Sequence, residues 1–241
     1  MSLNAAKAPK SGGGSKFKPQ EAIEPGTYPA RVAQIIDLGM QPQRPYQGQE
    51  KPPAHEIMIT YELVDEFMLD EEGNEMEDKP RWISETMPLR HIDSDLAKST
   101  KRYKALDPKM EHGGDFSMLL GEACNVLITT YISKKDGIER NKVQDVTAMR
   151  SRDAAKTEEL KNEPKLFSLD EPDLAIFQSL PEWLQGKIKE NLEYNGSALQ
   201  ELLEGDKPKG KGKPQPEEEE AVEEPVEASE DTDEEEEERP W

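Results

Sequence analysis

Alternation of apolar and polar residues is the main pattern in the first part of the chain. Residues 26–38 follow the two-residue period of a β-strand, with Gln34 as the exception on the apolar face. Residues 55–67 follow this period more regularly, and residues 80–88 form a third extended run after a turn that contains Gly73. The pattern predicts three strands, of which the second and third form a hairpin.

The connecting segments differ in character. Residues 39–54 contain four prolines and two glycines, which bars a helix and predicts a long irregular loop. A helical period follows through residues 94–106, with Asp93 or Ser94 as the capping residue, and residues 115–120 predict a second short helix.

Two further strands complete the β-rich region. Residues 123–132 and 138–149 are rich in β-branched residues, and Lys134-Lys135-Asp136-Gly137 between them is a strong hairpin signal. Three strands, a helical insertion and a closing hairpin form an order that resembles the OB-fold, a small five-stranded barrel that binds oligonucleotides. A β-sandwich is the structural alternative.

From Pro172 onward the apolar residues follow a helical period. The predicted helices are short and amphipathic, and each buries little apolar surface by itself. We expect them to dock on the sheet or on a partner, and self-association to a homodimer is one such role. The fold class predicted is mainly β with helical additions.

Charge is distributed unevenly along the 241 residues. Residues 214–241 contain fifteen acidic residues against Arg239 alone, so this segment carries −14 of the net charge of −21. Like charges repel, and almost nothing apolar is present to offset chain entropy, so we expect a disordered acidic tail. The rest of the chain is nearly balanced, and the overall acidity does not exclude binding to a polyanion.

Four segments follow from these patterns. Residues 1–24 are predicted to be a flexible basic N-terminal segment and residues 25–150 an OB-fold-like nucleic-acid-binding domain. Residues 151–204 are predicted to be a linker with short amphipathic helices, and residues 205–241 a disordered tail that changes from basic to acidic.

Cysteine content and hydropathy indicate the compartment. Cys124 is the only cysteine, so neither a disulfide nor a thiolate metal cluster can form within one chain, and a reducing compartment fits best. No apolar run approaches the roughly 18 residues of a membrane span, and the N-terminus lacks the apolar core of a signal peptide. We expect a soluble cytoplasmic protein without a membrane partner.

Motifs of enzymes and metal sites are not found. His55, His91 and His112 lack metal-ligand spacing, and the acidic residues between positions 65 and 78 lack the order of a calcium loop. A solvated hairpin tip explains the acidic cluster. There is no phosphate-binding glycine motif and no nucleophile beside a base. We predict a protein that is not an enzyme and that uses no metal or cofactor.

Binding to a single strand of nucleic acid requires cations that follow the phosphates and aromatic faces on which bases stack. Three groups of residues combine these features. The loop group is Arg44, Tyr46 and Lys51; the helix group is Lys98, Lys101, Arg102, Tyr103 and Lys104; the hairpin group is Lys134, Lys135, Arg140 and Lys142. Helical spacing places Lys98, Lys101 and Arg102 on one face. An ordinary solvated surface is the alternative for each group.

Aromatic residues supply the candidates for stacking. Trp82 has the same strand parity as Ser84 and Thr86, so its ring is predicted to lie on a polar face, although burial is the commoner position for tryptophan. Tyr46 and Tyr103 are the other two candidates. The parity of Tyr131 leaves both a surface and a core position open.

The tail ends in Arg239-Pro240-Trp241, which places a large apolar ring at the end of a polyanion. Solubility gains nothing from this ring, and a recognition tip explains it better. With this tail and an OB-fold-like strand order, the sequence resembles the phage-encoded single-stranded DNA-binding proteins. Residues 19–203, including Pro80-Arg81-Trp82-Ile83-Ser84-Glu85, are also similar to uncharacterised podophage proteins of this kind.

The resemblance implies a function in phage DNA replication, recombination and repair within the cytoplasm of the infected bacterial host. In that family the tail competes with DNA for the basic groove and docks replication proteins such as the polymerase and the helicase-primase. The resemblance assigns this role here to the tail residues Glu234, Glu235, Glu236, Glu237, Glu238 and Trp241.

Two other functions remain open at this point. An acidic adaptor or DNA mimic would use the tail to occupy the basic groove of a partner, and its folded region would not bind DNA. A metal-dependent nuclease would use acidic residues of the predicted hairpin, such as Asp70 and Asp78, and is the weakest of the three hypotheses.

Overall fold

Strands make up most of the regular structure. The computed structural model describes residues 21–70 and 72–205. The strands are β1 Gly26–Tyr46, β2 Gln49–Leu69, β3 Glu75–Pro88, β4 Ala123–Ile132, β5 Glu139–Ala148 and β6 Lys165–Phe167. The helices are α1 Lys98–Leu106, a 3₁₀ helix Phe116–Leu119, α2 Ser151–Ala154, α3 Leu174–Ser179, α4 Glu182–Lys189 and α5 Ala198–Gly205. The prediction of a mainly β fold with helical additions is confirmed.

The strands form one open, largely antiparallel sheet in the order β3-β2-β1-β4-β5, and β6 adds to β1 in parallel. β1 is central because its first residues pair with β4 and most of its length pairs with β2. Within the described residues, the edge strands β3 and β5 are not hydrogen-bonded to each other. The five predicted strands and the two predicted hairpins are present.

A β-bulge gives β1 two buried faces. Ala33 is the extra residue in the pairing with β2, so side chains before and after it change faces. Val32 and Ile35 belong to the first core, which the sheet forms with α1 and the 3₁₀ helix. Ile36 and Leu38 belong to a second core on the opposite face. The single apolar face predicted for this strand is therefore wrong beyond the bulge.

β1 and β2 continue past the rest of the sheet as a two-stranded extension. Residues 42–53, which we call the arm, include the pair Gln43 and Lys51 and end in a turn at Gln47 and Gly48, with φ values of 49° and 78°. Two positive φ values are typical of a type I′ hairpin turn. The irregular loop predicted here is wrong, because the prolines shift the strand register without ending the strands.

α1 packs on the first core through its apolar side. Tyr103 lies edge-on to Phe116 of the 3₁₀ helix, with 5.1 Å between ring centroids. The helix begins at Lys98, later than predicted, and neither Asp93 nor Ser94 caps it. The 3₁₀ helix has the expected position.

The C-terminal module, which we define as residues 165–205 with β6, α3, α4 and α5, covers the second core. Its buried residues are Phe167, Phe177, Leu180, Leu184, Ile188 and Leu199, and they pack against Ile36, Leu38 and Met58 of the sheet. The helices after Pro172 thus dock on the sheet, which was one of the two alternatives. The short strand β6 was not predicted.

Candidate functional site

The outer face of the sheet is the face opposite the first core, and part of it is covered by a later segment of the same chain. Residues 154–162, which we call the strap, cross the face where Arg31 of β1 and Glu62 of β2 are paired. The Arg31 guanidinium donates to three strap carbonyls, those of Glu158 at 2.6 Å, Thr157 at 2.9 Å and Ala154 at 3.4 Å. The Glu62 carboxylate, only 3% exposed, accepts from the backbone N–H of Lys161 and the side chain of Asn162, both at 2.7 Å. The strap therefore closes this row of the sheet to ligands.

Trp82 lies at the edge of the strap-covered row. Its indole N–H donates to Glu62 Oε2 at 2.9 Å, and its side chain remains 41% exposed. Ser84 and Thr86 are exposed on the same side, whereas Ile83 is buried. The predicted surface orientation of Trp82 is confirmed, and stacking of a base on its ring stays a prediction.

The structure corrects the assignment of Arg102 to a DNA-binding face. Its side chain is buried, and its guanidinium donates to Glu85 at 2.9 Å, to Asp145 at 2.6 Å and to the carbonyl of Gln144 at 3.1 Å. Lys98 Nζ lies 3.1 Å from Glu85 Oε2. Burial opposes the charge of Arg102, but Glu85 outweighs it and raises the pKa of the guanidinium. Two members of the predicted cationic face of α1, Lys98 and Arg102, are thus turned toward a buried carboxylate, whereas the third, Lys101, is exposed.

Tyr103 is also corrected. Its side chain has no exposed surface, and its hydroxyl donates to Asp107 Oδ2 at 3.1 Å, so it offers no ring face to a base. The ring packs in the first core, where burial of such a large aromatic side chain stabilises the fold. Lys101 and Lys104 are exposed, and Lys104 forms an ion pair with Asp95.

The loop group lies on the arm. Arg44 and Lys51 are exposed on its two strands, and Lys51 is directly opposite Gln43. The backbone of Tyr46 pairs with Gln49, and its side chain lies outside what the structure describes.

The hairpin group lies on and beside the β4–β5 hairpin. Residues that are directly opposite in an antiparallel pair share a face of the sheet. Lys142 is opposite Thr129, and Arg140 is opposite Tyr131. The structure thus places Tyr131 on the partly exposed outer face, which its alternation with the buried Ile128 could have indicated.

The turn of this hairpin extends the same cationic region. Lys134 and Lys135 are exposed, and Asp136 forms an ion pair with Arg140. Leu127, opposite Asp145, is a further exposed apolar residue on the outer face. We call Leu127, Thr129, Tyr131, Lys134, Lys135, Arg140 and Lys142 the hairpin surface.

The predicted groups do not form one patch. Gly26 at the start of β1 pairs with Ile128, and β4 continues to Ile132, so the hairpin surface extends beyond the first end of β1. The arm is at the opposite end of the same strand. A single ligand that contacts both the hairpin surface and the arm must therefore run along or across the sheet. The tail residues Glu234 to Glu238 and Trp241 lie outside the described residues.

Ionisable groups elsewhere are arranged in local networks. His55 Nε2 lies 2.7 Å from Asp37 Oδ1, and this hydrogen bond raises the pKa of His55. Burial raises the pKa of the Cys124 thiol to about 12, so this thiol is unreactive at neutral pH.

Within the described ranges, no group of three or more His, Cys, Asp or Glu residues could hold a metal ion. None of the described helices is long and apolar enough to cross a membrane.

Comparison with known proteins does not assign a family. No protein-family model matches the chain, and no curated protein matches it. The site must therefore be interpreted from its own residues.

Proposed function

We propose that this chain binds single-stranded DNA without sequence preference, and that the hairpin surface is its main contact. The observation that carries the proposal is the cross-strand pairing that sets Tyr131 beside Arg140 and Lys142 on one outer face. Cations at this spacing can follow phosphates while a base stacks on the tyrosine ring. Lys134 and Lys135 in the turn add two charges at the end of this path.

We also propose that the sheet is an OB-fold barrel. The strand order supports this, because β1 lies between β2 and β4 and helix α1 connects β3 to β4. The edge strands approach each other, with Cα atoms of β3 and β5 within 8 Å. Arg102 bonds to Glu85 on one edge and to Asp145 on the other. OB-folds bind oligonucleotides on strands 2 and 3 and on the adjoining loops.

The strap alters how such a barrel would be used. It occupies the part of the strand 2 and 3 face around Glu62, so DNA is expected on the hairpin surface and the arm. Trp82 is the stacking residue nearest to the covered area. The resemblance adds that the acidic tail competes with DNA and docks the phage polymerase and helicase-primase during replication and recombination in the bacterial cytoplasm.

The number of phosphate contacts determines how steeply DNA affinity should fall with salt. If the four cations of the hairpin group each neutralise one phosphate, they contribute about −3 to the slope of log affinity against log salt for a single strand. Replacing Arg140 and Lys142 by glutamine removes two of these contacts, and the slope should become shallower by about 1.4.

The proposal is tested by fluorescence anisotropy with labelled oligo-dT over a range of salt. Intact protein is compared with protein truncated after Lys213 and with Arg140→Gln/Lys142→Gln. A matched control, Lys165→Gln/Lys189→Gln, removes the same charge from the C-terminal module. We expect tighter binding after truncation, weaker binding and a smaller slope in the hairpin variant, and no difference between the control and intact protein.

Two results would contradict the proposal. If neither intact nor truncated protein binds oligo-dT at low salt, the chain does not bind single strands, and the acidic adaptor becomes the better hypothesis. If the hairpin variant and its matched control lose affinity equally, net charge and not the hairpin surface controls binding.

A further inference from the structure

The arm requires support at its base. β4 pairs only with Gly26–Arg31 of β1, β6 pairs with Gln34–Ile36, and β3 begins its pairing with β2 at Glu56. Among the residues that the structure describes, residues 42–53 therefore have only each other as strand partners, and an isolated two-stranded hairpin is marginally stable in water. The direction of the arm must be set by contacts where it leaves the sheet.

The C-terminal module supplies such contacts through its backbone. The N–H of Leu192 donates to the carbonyl of Met40 at 2.9 Å. Gln41, only 5% exposed, donates from its side chain to the carbonyl of Lys187 at 3.0 Å. At Gly39 the approach is so close that a Cβ atom would lie 2.8 Å from the side chain of Asn191. The module is thus in tight contact with β1 immediately before the arm.

A chain of side chains continues from the module into the arm. Lys187 Nζ of α4 lies 3.2 Å from Glu56 Oε2, and both side chains are largely buried. The other carboxylate oxygen of Glu56 accepts from Gln43 Nε2 at 2.7 Å. Gln43 stands directly opposite Lys51, one of the exposed cations of the arm. Lys187 is therefore linked, through two contacts, to the strand pair that carries this cation.

We propose that the C-terminal module is a buttress for the arm and that Lys187 is its main positioning residue. The part of this inference that concerns DNA rests on the proposed function, which expects DNA on the hairpin surface and on the arm, where Arg44 and Lys51 are exposed. The module holds these cations in one orientation, so less entropy is lost when a single strand binds. This gives the helices after Pro172 a function that does not require self-association.

The experiment follows the mobility of the arm directly. A nitroxide is attached to Glu50→Cys, an exposed arm position, in intact protein. Cys124 is buried and needs no replacement, and unsubstituted protein treated with the label is the check for this. The labelled protein is compared with Lys187→Met and with the matched control Lys189→Met, which removes the same charge two residues later on α4. Electron paramagnetic resonance reports label mobility, and anisotropy reports oligo-dT affinity.

We expect Lys187→Met to raise label mobility and to weaken oligo-dT binding by about threefold to tenfold relative to Lys189→Met, which lies within the coupling of about twofold to thirtyfold that packed side chains carry. Glu56→Gln, which keeps the shape of the side chain but removes its charge, should raise mobility as well. Equal mobility in Lys187→Met and Lys189→Met would overturn the buttress, whether or not DNA binds. Higher mobility with unchanged affinity would overturn its role in DNA binding, whereas no binding by any variant would overturn the proposed function alone.

Discussion

The buried ion pair of Arg102 permits the sharpest prediction about stability. Arg102→Met keeps the length and apolar stem of the side chain but removes the bonds to Glu85 on β3 and to Asp145 and Gln144 on β5. Glu85 then remains buried with one fewer cation. The substitution also removes the link between the two edge strands of the sheet.

The structure sets the size of the effect. Removing one partner of a buried ion pair costs about 3–5 kcal/mol, because an uncompensated charge is left in the interior. Glu85 keeps Lys98 at 3.1 Å and the Tyr61 hydroxyl at 2.8 Å, and Asp145 is half exposed, so we expect the lower end of this range. A loss of about 3 kcal/mol in the free energy of unfolding corresponds to a Tm about 6–12 °C lower for a chain of this size.

Urea denaturation followed by circular dichroism measures this loss. Lys101→Met is the matched control, because it removes the same charge from the exposed side of the same helix and should cost less than about 0.5 kcal/mol. Below its Tm, Arg102→Met should bind oligo-dT as intact protein does. Equal stability of the two variants would refute the structural role of Arg102, and a selective loss of DNA affinity in folded Arg102→Met would restore the role predicted from its helical spacing.

Two further predictions concern the base of the arm. Gly39→Ala should lower the free energy of unfolding by about 2–4 kcal/mol, because strain at φ 74° adds to a clash with Asn191. Gly48→Ala, at φ 78°, meets no neighbour and should lower it by only about 1–2 kcal/mol. Equal losses in urea denaturation would contradict the close approach at Gly39. Asp37 raises the pKa of His55, so the stability from this pair is full below the ordinary pKa near 6.5 and is lost as pH rises through the raised value. As pH rises through this range, the free energy of unfolding should fall by less than about 1 kcal/mol, since the imidazole is partly exposed. His55→Gln should show a smaller fall. An identical pH profile for the variant and intact protein would argue against the contribution of this pair.

Local patterns were sufficient for the closing hairpin of the sheet. The bounds of β4 agree with the predicted strand, and β5 differs by one residue at each end. β4 alternates in burial from Ala123 to Ile128, β5 buries Val143 and Val146 on either side of a bulge, and a glycine of positive φ lies in the turn at Gly137. Because the pairing is short-range, the hairpin surface follows from sequence once the register is known.

The arm and the strap depend on information that local patterns do not contain. The prolines near residues 42–53 exclude a helix, but they do not decide between a loop and an irregular hairpin, since proline can occupy edge strands. The strap is held on the sheet by Arg31 and Glu62, which lie 126 positions before Thr157 and 100 positions before Asn162. Such long-range contacts determine which sheet face is closed.

Helix α1 shows a different limit. Spacing correctly grouped Lys98 and Arg102 on one side of the helix, but it could not indicate that this side meets Glu85. Glu85 shares the strand parity of the buried Ile83 and Met87, so the alternation of β3 indicates a carboxylate on the core side but does not indicate which cation meets it. Only the tertiary structure distinguishes a cationic surface from one half of a buried ion pair.

The proposed binding of single-stranded DNA to the hairpin surface can be tested at the level of single residues. The most direct measurement is photo-crosslinking of intact protein to oligonucleotides that contain bromodeoxyuridine, with the modified residues located by mass spectrometry. We expect adducts at Tyr131, lost in Arg140→Gln/Lys142→Gln and retained in Lys165→Gln/Lys189→Gln. Efficient adducts confined to Trp183 on the C-terminal module, or binding without any adduct between residues 127 and 142, would contradict it.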